Sequence, residues 1–417
     1  MKSDILKNNK KKIKDIFMRI CATAVFNIVI QFAMYPFLER GMGSVRFGVA
    51  LSVLSIVAIL SGTIGSAANY SRMVTTTKKD ITYTNGDYNL ILLTLSVVCG
   101  LGGIFYLRYI GVSSALSALL FVFLIVLTAL RYYCDVEYKI QGNFLRYMLF
   151  YIAVSVGYLI GMFVYSFTDQ WMLAFIVGEA FSVVFVLLWG TMFRRDALRP
   201  SKNFSLICKS MGFLLLSTLV DNLTLNADRL LLMVFSGGDA VSVYYIASLL
   251  GKVIAMLSVP LNSLIISYLI KYEGGLTKKL WSIASVAALV LGVLGFAGCT
   301  IMSPFILGIL YPDPHIQTSI APYIAPAILG QIFYFVSGIL LVILLRFRGE
   351  KKQFLFNAGY AVEFFIIVIA GTAAYGLDGF VYSSLAANAI RFVAVMIWGF
   401  IPPRRPKTTD APHYTDR

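Results

Sequence analysis

Residues 217–237 read STLVDNLTLNADRLLLMVFSG. The stretch lies inside a longer apolar run from Phe204 to Phe235, yet it carries Asp221, Asn222, Asn226, Asp228 and Arg229. Most of its residues are compatible with a helix. At 3.6 residues per turn, Asp221, Leu225, Asp228 and Leu232 share one face, and Asn222, Asn226 and Arg229 share the next. An ionised side chain facing lipid at mid-bilayer costs roughly 2.5–3.5 kcal/mol on insertion scales. The polar face is therefore expected to point at protein or water.

The rest of the chain makes a membrane the right solvent to reason in. Of 417 residues, 59% are hydrophobic and only 13% are charged, about half the share usual in soluble domains. Mean hydropathy is +0.81. Apolar runs of about 20 residues recur, the length a helix needs to cross ~30 Å of hydrocarbon. They do not alternate with the period of barrel strands. The expected spans are 15–38, 45–69, 88–108, 112–134, 145–167, 171–193, 205–235, 241–270, 279–302, 317–345, 353–375 and 378–401. The predicted class is an all-α polytopic membrane protein of twelve transmembrane helices with short linkers. The basic N-terminal segment precedes a run too long for a signal-peptide core, so it reads as an uncleaved first helix.

The formal net charge of +15 sits in short loops, so topology explains it better than nucleic acid does. Lys10, Lys11, Lys12, Arg72, Lys78, Lys79, Lys139, Arg194, Arg195, Arg199, Lys271, Lys278, Lys279, Arg346, Arg348, Lys351, Lys352, Arg404 and Arg405 fall on one side of the predicted topology. Arg40, Arg46 and Arg108 fall on the other. Positive charge stays in the cytoplasm, which predicts cytoplasmic termini. Cys21, Cys99, Cys134, Cys208 and Cys299 form no CxxC pair, and His315 and His413 are the only histidines. Neither a metal site nor a cofactor is expected.

The chain also repeats weakly. At a shift of 197, FGVALSVLSIVAILSGTIGS (47–66) lies over YYIASLLGKVIAMLSVPLNS (244–263), with Ala50, Ala58, Leu60, Ser61 and Ser66 on identical residues. At a shift of 207, KIQGNF (139–144) lies over RFRGEK (346–351), with Gly142 on Gly349. The order of matches implies two six-helix lobes, 1–200 and 201–417, related as parallel repeats around a central cavity.

Several further polar residues interrupt apolar spans. Lys252 lies well inside the eighth span, near Pro260, which should kink it. Arg391, Glu179 and Glu363 are mid-span, and Arg19, Asn27 and Gln31 recur along the first. The expected cavity set is Lys252, Arg229, Arg391, Arg19, Arg46, Asn27, Gln31 and Asn226. Asp221, Asp228, Glu179 and Glu363 are read as coupling or structural acids. Alternatives stay open. Arg19 can snorkel to the surface, Arg46 can be a rim charge, Asp228–Arg229 can be a structural pair, and Glu363 can pair with Arg391. Tyrosines and phenylalanines are read as packing and interface belt. The longest outer connection is expected around YPDPHIQTSIAP (311–322), too short to hold an acceptor and catalytic groups. With no Ser/His/Asp set, metal cluster or phosphate loop, no catalytic residue is assigned.

Particular words then point to a group. LNADRLLLMVFSGGDAVSVYYIASLLGKVIAMLSVPLNSLII (225–266) resembles a helix hairpin of bacterial polysaccharide flippases. YKIQGNFLRY (138–147) and LLRFRGEKKQFLFNAG (344–359) resemble their two cytoplasmic turns with a central glycine. The chain thus resembles Wzx-type flippases of the multidrug/oligosaccharidyl-lipid/polysaccharide exporter superfamily. That resemblance implies transport of an undecaprenyl-pyrophosphate-linked oligosaccharide to the outer leaflet of the bacterial cytoplasmic membrane, for O-antigen or capsule synthesis. It implies alternating access, with Lys252, Arg229 and Arg391 screening the phosphates and asparagines meeting sugar hydroxyls. The acids would couple a proton or sodium ion, or hold an arginine. Implied partners are membrane lipids, a polysaccharide polymerase and chain-length machinery. The rivals are a cation-coupled multidrug antiporter of the same superfamily, with an acidic cavity, and a membrane glycosyl transferase or polymerase, with catalytic groups at one leaflet.

Overall fold

The structure is a computed structural model that describes residues 15, 17–77, 83–194, 196–256, 258, 261, 262, 265, 266, 269 and 274–401. Among the described residues there are helices and turns and no strand. The elements are α1 (Phe17–Met42), α2 (Ser44–Thr76), α3 (Asn85–Tyr109), α4 (Ala115–Cys134), short α5 (Val136–Gln141), α6 (Phe144–Thr168) and α7 (Trp171–Trp189). Then follow α8 (Phe204–Met256), α9 (Lys278–Leu310), α10 (Pro314–Arg348) and α11 (Glu350–Phe400). Ten helices among the described residues are long and apolar enough to cross a membrane, α4 and α5 counting as one.

Two of these elements are far longer than one crossing needs. At 1.5 Å per residue, α8 with its 53 residues would run about 80 Å if straight. It is broken at Gly237 (φ 83°, ψ −179°), a conformation essentially confined to glycine because a Cβ would collide with the backbone. In α11 the break falls at Tyr375 and Gly376 (φ 57°). The spans expected at 205–235 and 241–270, and at 353–375 and 378–401, therefore join without an intervening loop. Pro260 lies outside the described residues.

The longest expected outer connection, about 311–322, is corrected. Helix α10 already starts at Pro314, leaving residues 311–313 between helices. Proline suits a first helical position because its missing N–H would have no partner there. The Asp313 carboxylate accepts from the His315 backbone N–H at 2.9 Å.

The described chain divides into two compact units. One comprises Met1–Tyr245 with Leu310–Ile316, the other Ile246–Ile309 with Gln317–Arg417. In the first unit α6 packs on α7, α2 on α3 and α4, α4 on α3 and α7, and α1 on α6. Helix α2 is the most enclosed, and its small residues explain why. A Cβ on Gly48 would lie 1.7 Å from the Gly238 carbonyl oxygen, so the helix backbones touch there. Without a hydrophobic drive between helices in lipid, such close backbone approach supplies the packing energy. Intrahelical polar groups are satisfied locally, as where Ser55 donates to the Leu51 carbonyl at 2.9 Å and Ser155 to Tyr151 at 2.8 Å.

One end of this unit is tied by buried polar groups. Asp135, after α4, accepts from Asn69 at 2.6 Å, Tyr151 at 2.9 Å and Lys139 at 2.8 Å. Glu137 accepts from the Thr191 backbone N–H at 3.0 Å and hydroxyl at 2.9 Å. Arg72, read from sequence as a loop charge, is buried and donates to Tyr133 at 2.6 Å and Asn85 at 2.9 Å. In the second unit Trp281 is fully buried, donates to the Met396 carbonyl at 3.1 Å and lies against Gly399, where any side chain would overlap its ring.

Candidate functional site

The charges of the opening stretch occupy three different environments. Asp221 is exposed. Asn222 and Asn226 turn their amides back on α8, donating to the Thr218 carbonyl at 2.8 Å and the Asn222 carbonyl at 2.9 Å. The other end of Asn222 presses on α2, its amide oxygen 2.8 Å from where a Cβ on Gly62 would stand. Arg229 points inward. Its guanidinium lies 5.0 Å from the Tyr245 ring centre, reaches the Ser55 hydroxyl at 3.5 Å and stands near the Tyr35 hydroxyl. Its Nε has no hydrogen-bond partner. The neighbouring Asp228 carboxylate acts on it electrostatically.

The aromatic half of this cluster is ordered by α1. Tyr35 follows a π-helical segment, Val29–Met34, and its N–H bonds the Ile30 carbonyl five residues back. Pro36 gives the physical reason, because it lacks an N–H and its ring crowds the carbonyl four residues earlier. The widened turn includes buried Gln31 and delivers Tyr35 edge-on to Tyr245, with 5.3 Å between ring centres. Phe47 completes the aromatic wall, 6.0 Å from Tyr35 and 6.2 Å from Tyr245.

Glu179 has a partner the sequence reading did not name. Arg131 on α4 meets it at 2.7 Å with both side chains almost fully buried, 7% and 3% exposed. The Tyr158 hydroxyl donates to its other oxygen at 2.7 Å. Phe26 and Tyr132 cover the Arg131 guanidinium at 4.7 and 4.3 Å. Arg46 meets Asp169 at 3.5 Å on the surface, with 61% and 68% of the side chains exposed. Arg19 is exposed and stacks 4.3 Å over Phe144. Asn27 donates to the Thr23 carbonyl at 2.8 Å within its own helix.

The second unit holds Lys252, Arg391 and Glu363. Lys252 is half-buried on the second half of α8. Arg391 is buried, 6% exposed, sandwiched by Tyr334 at 4.3 Å and Tyr360 at 4.4 Å. The Tyr360 hydroxyl donates to Asn388 at 2.8 Å. Nε and Nη1 of Arg391 have no hydrogen-bond partner, and neither does Oε1 of Glu363. Among the described residues the two make no ion pair, so the suggested Glu363–Arg391 link is absent.

Tyrosine is what the sequence reading undervalued. Tyr35, Tyr158, Tyr245, Tyr334 and Tyr360 each lie against an intramembrane arginine or hold its acid. They can do so because a tyrosine offers a cation-binding ring face and a hydroxyl at once. Arg131 carried the same sequence signal as Arg229, a cation inside an apolar run.

No family profile and no curated protein matches the chain. Solved structures do. A multidrug resistance MATE family transporter of the MOP superfamily, in an inward-facing conformation, aligns over 92% of this chain and 93% of its own with TM-score 0.60 at 13% identity. The lipid II flippase MurJ, inward closed, aligns over 93% and 87% with TM-score 0.68 at 14% identity. The Vibrio cholerae MATE transporter VcmN, in its bent form, aligns over 94% and 97% with TM-score 0.56 at 14% identity. The fold is therefore that of MATE transporters and MurJ, carried by a multi-pass membrane protein.

Proposed function

We propose that this chain is a flippase for an undecaprenyl-pyrophosphate-linked oligosaccharide, exporting it across the bacterial cytoplasmic membrane for O-antigen or capsule synthesis. The breaks at Gly237 and Gly376 support reading α8 and α11 as two passes each, and the whole as twelve passes in two six-helix lobes, 1–200 and 201–417. Gly142 and Gly349, matched by the repeat, both have positive φ (65° and 81°). The basic loops favour cytoplasmic termini.

One observation carries the choice of an anionic cargo. Arg391 is buried with its flat faces on tyrosines, two of its nitrogens unmatched and, among the described residues, no carboxylate ion-paired to it. A guanidinium in low dielectric keeps its charge and is a ready partner for phosphate oxygens. Arg229 is held in the same manner, though with Asp228 beside it. Glu179, read from sequence as a coupling or structural acid, is neutralised by Arg131 and so does not oppose an anionic cargo. Lys252 would add charge on the far side of Gly237. MurJ, whose name gives lipid II as cargo, has the highest TM-score of the structures named above.

The test is a leaflet-exchange assay in liposomes with a labelled short-chain polyprenyl-pyrophosphate oligosaccharide. Wild type should exchange it, and Arg391→Gln and Arg229→Gln should each slow exchange at least tenfold, one hydrogen-bonded charge being worth about 1.5–3 kcal/mol. Unpaired Glu363 Oε1 favours a cation-coupled multidrug antiporter instead. Expulsion of a cationic dye that depends on Glu363 or Asp221, without lipid exchange, would establish that reading.

A further inference from the structure

The start of α3 is closed on by residues 199–201, the connection that leads into α8. At the meeting point a Cβ on Gly86 would lie 2.3 Å from the Arg199 carbonyl oxygen, so nothing larger than glycine fits. Asp87 accepts from the Ser201 backbone N–H at 2.6 Å, and the Thr84 hydroxyl donates to the Arg199 carbonyl at 2.6 Å. Beyond this staple the two helices line an open groove of about 360 Å³. Leu90, Ile91 and Leu95 line it from α3, and Phe204, Met211 and Leu215 from α8, with Thr94 and Cys208 its only polar side chains.

Two features fix what suits this slot. It is flanked by outward apolar residues of the same helices, Val98 at 59%, Phe213 at 74% and Leu216 at 67% exposure, so an occupant arrives from the bilayer. Its stapled end carries exposed Arg194, Arg199, Lys202 and Lys209. The acids there are Asp196, exposed, and Asp87, fully buried and committed to backbone N–H groups. An apolar slot ending at a cationic rim matches an amphiphile with a negative head at one end of an acyl chain.

We propose that α3 and α8 hold an anionic phospholipid, one acyl chain in the slot and its phosphate at Lys202 and Lys209. The site lies wholly in the first unit and does not depend on the cargo. Each basic residue near an anionic headgroup contributes about fivefold in affinity, so the two lysines together should confer a preference of about 25-fold over a zwitterionic head.

The experiment is native mass spectrometry of the full chain in mild detergent, supplied with phosphatidylglycerol, phosphatidylcholine or undecaprenyl phosphate. Wild type should retain phosphatidylglycerol over phosphatidylcholine by about 25-fold. Lys202→Gln/Lys209→Gln should bring the two to near parity. Thr94→Trp, which fills the slot, should lower retention of both, and Cys208→Leu serves if that variant elutes misfolded. Lys278→Gln/Lys279→Gln, at the start of α9, should change nothing. Unchanged preference in the double lysine variant, or unchanged retention in the slot-filling variants, overturns the proposal. So does selective retention of undecaprenyl phosphate in place of phosphatidylglycerol, which would assign the slot to an isoprenoid carrier.

Discussion

Removing the Glu179 carboxylate is the sharpest test of the charge placement. Arg131 and Glu179 are 7% and 3% exposed and 2.7 Å apart, so Glu179→Ala leaves a guanidinium in the bundle with aromatic rings and no carboxylate. Breaking such a pair from one side costs about 3–5 kcal/mol, most of it the penalty of the orphaned charge. A unit of this size loses about 2–4 °C per kcal/mol, which predicts a fall in Tm of about 6–20 °C. Replacing both partners, as Arg131→Met/Glu179→Leu, removes charge and partner together and should recover most of that loss, because two desolvation costs disappear with the attraction. Tyr158→Phe removes one hydrogen bond to the carboxylate at 2.7 Å and should cost about 1.5–3 kcal/mol. Fluorescence-detected size-exclusion after a heating series reads all four proteins in one detergent. A Glu179→Ala fall under about 3 °C, or a double variant as unstable as the single, refutes the buried pair.

Other outcomes follow from single contacts. Arg391→Lys should impair exchange nearly as much as Arg391→Gln, since an ammonium cannot stack flat between Tyr334 and Tyr360; full activity in the lysine variant would contradict the sandwich. Gly48→Ala should be the most damaging one-carbon change in α2, measured as loss of monodisperse protein, because the new Cβ would overlap the Gly238 carbonyl. Arg46→Gln should leave Tm within about 4 °C, as its pair with Asp169 is exposed and surface pairs are worth about 0–1 kcal/mol. Asp313→Ala should lower Tm by a few degrees through loss of the cap on α10, about 0.5–2 kcal/mol, with exchange activity retained.

Much of the fold was legible because hydrocarbon imposes a length. A run of about 20 apolar residues has one use in a bilayer, so the expected helices match the observed ones to within a few residues at α3, α4, α6 and α7, whereas α2 runs on to Thr76, past its expected end at 69. The outer connection after α9 was misjudged for a local reason. YPDPHIQTSIAP looks like a loop by its prolines and polar residues, yet Pro314 sits at a first helical position and Pro322 and Pro326 are carried inside α10. In lipid, neighbouring helices re-satisfy the carbonyls a proline leaves free.

The site was legible only in part. An arginine in oil announces itself, so Arg229 and Arg391 could be picked out from their neighbours in sequence. What each one touches could not. Arg131 and Glu179 are 48 positions apart, Arg229 and Ser55 are 174 apart, and no local pattern couples such pairs. The tyrosines were invisible for a related reason, since an aromatic in a membrane helix is equally at home in a belt, a core or a cation's sandwich. The sequence by itself determined the solvent, the helices and which residues carry charge into hydrocarbon, because those follow from local transfer free energies. The tertiary structure alone decided which charges are neutralised, as Arg131 neutralises Glu179, and which, like Arg391, rest on aromatic faces. Pairing is set by which helices pack side by side.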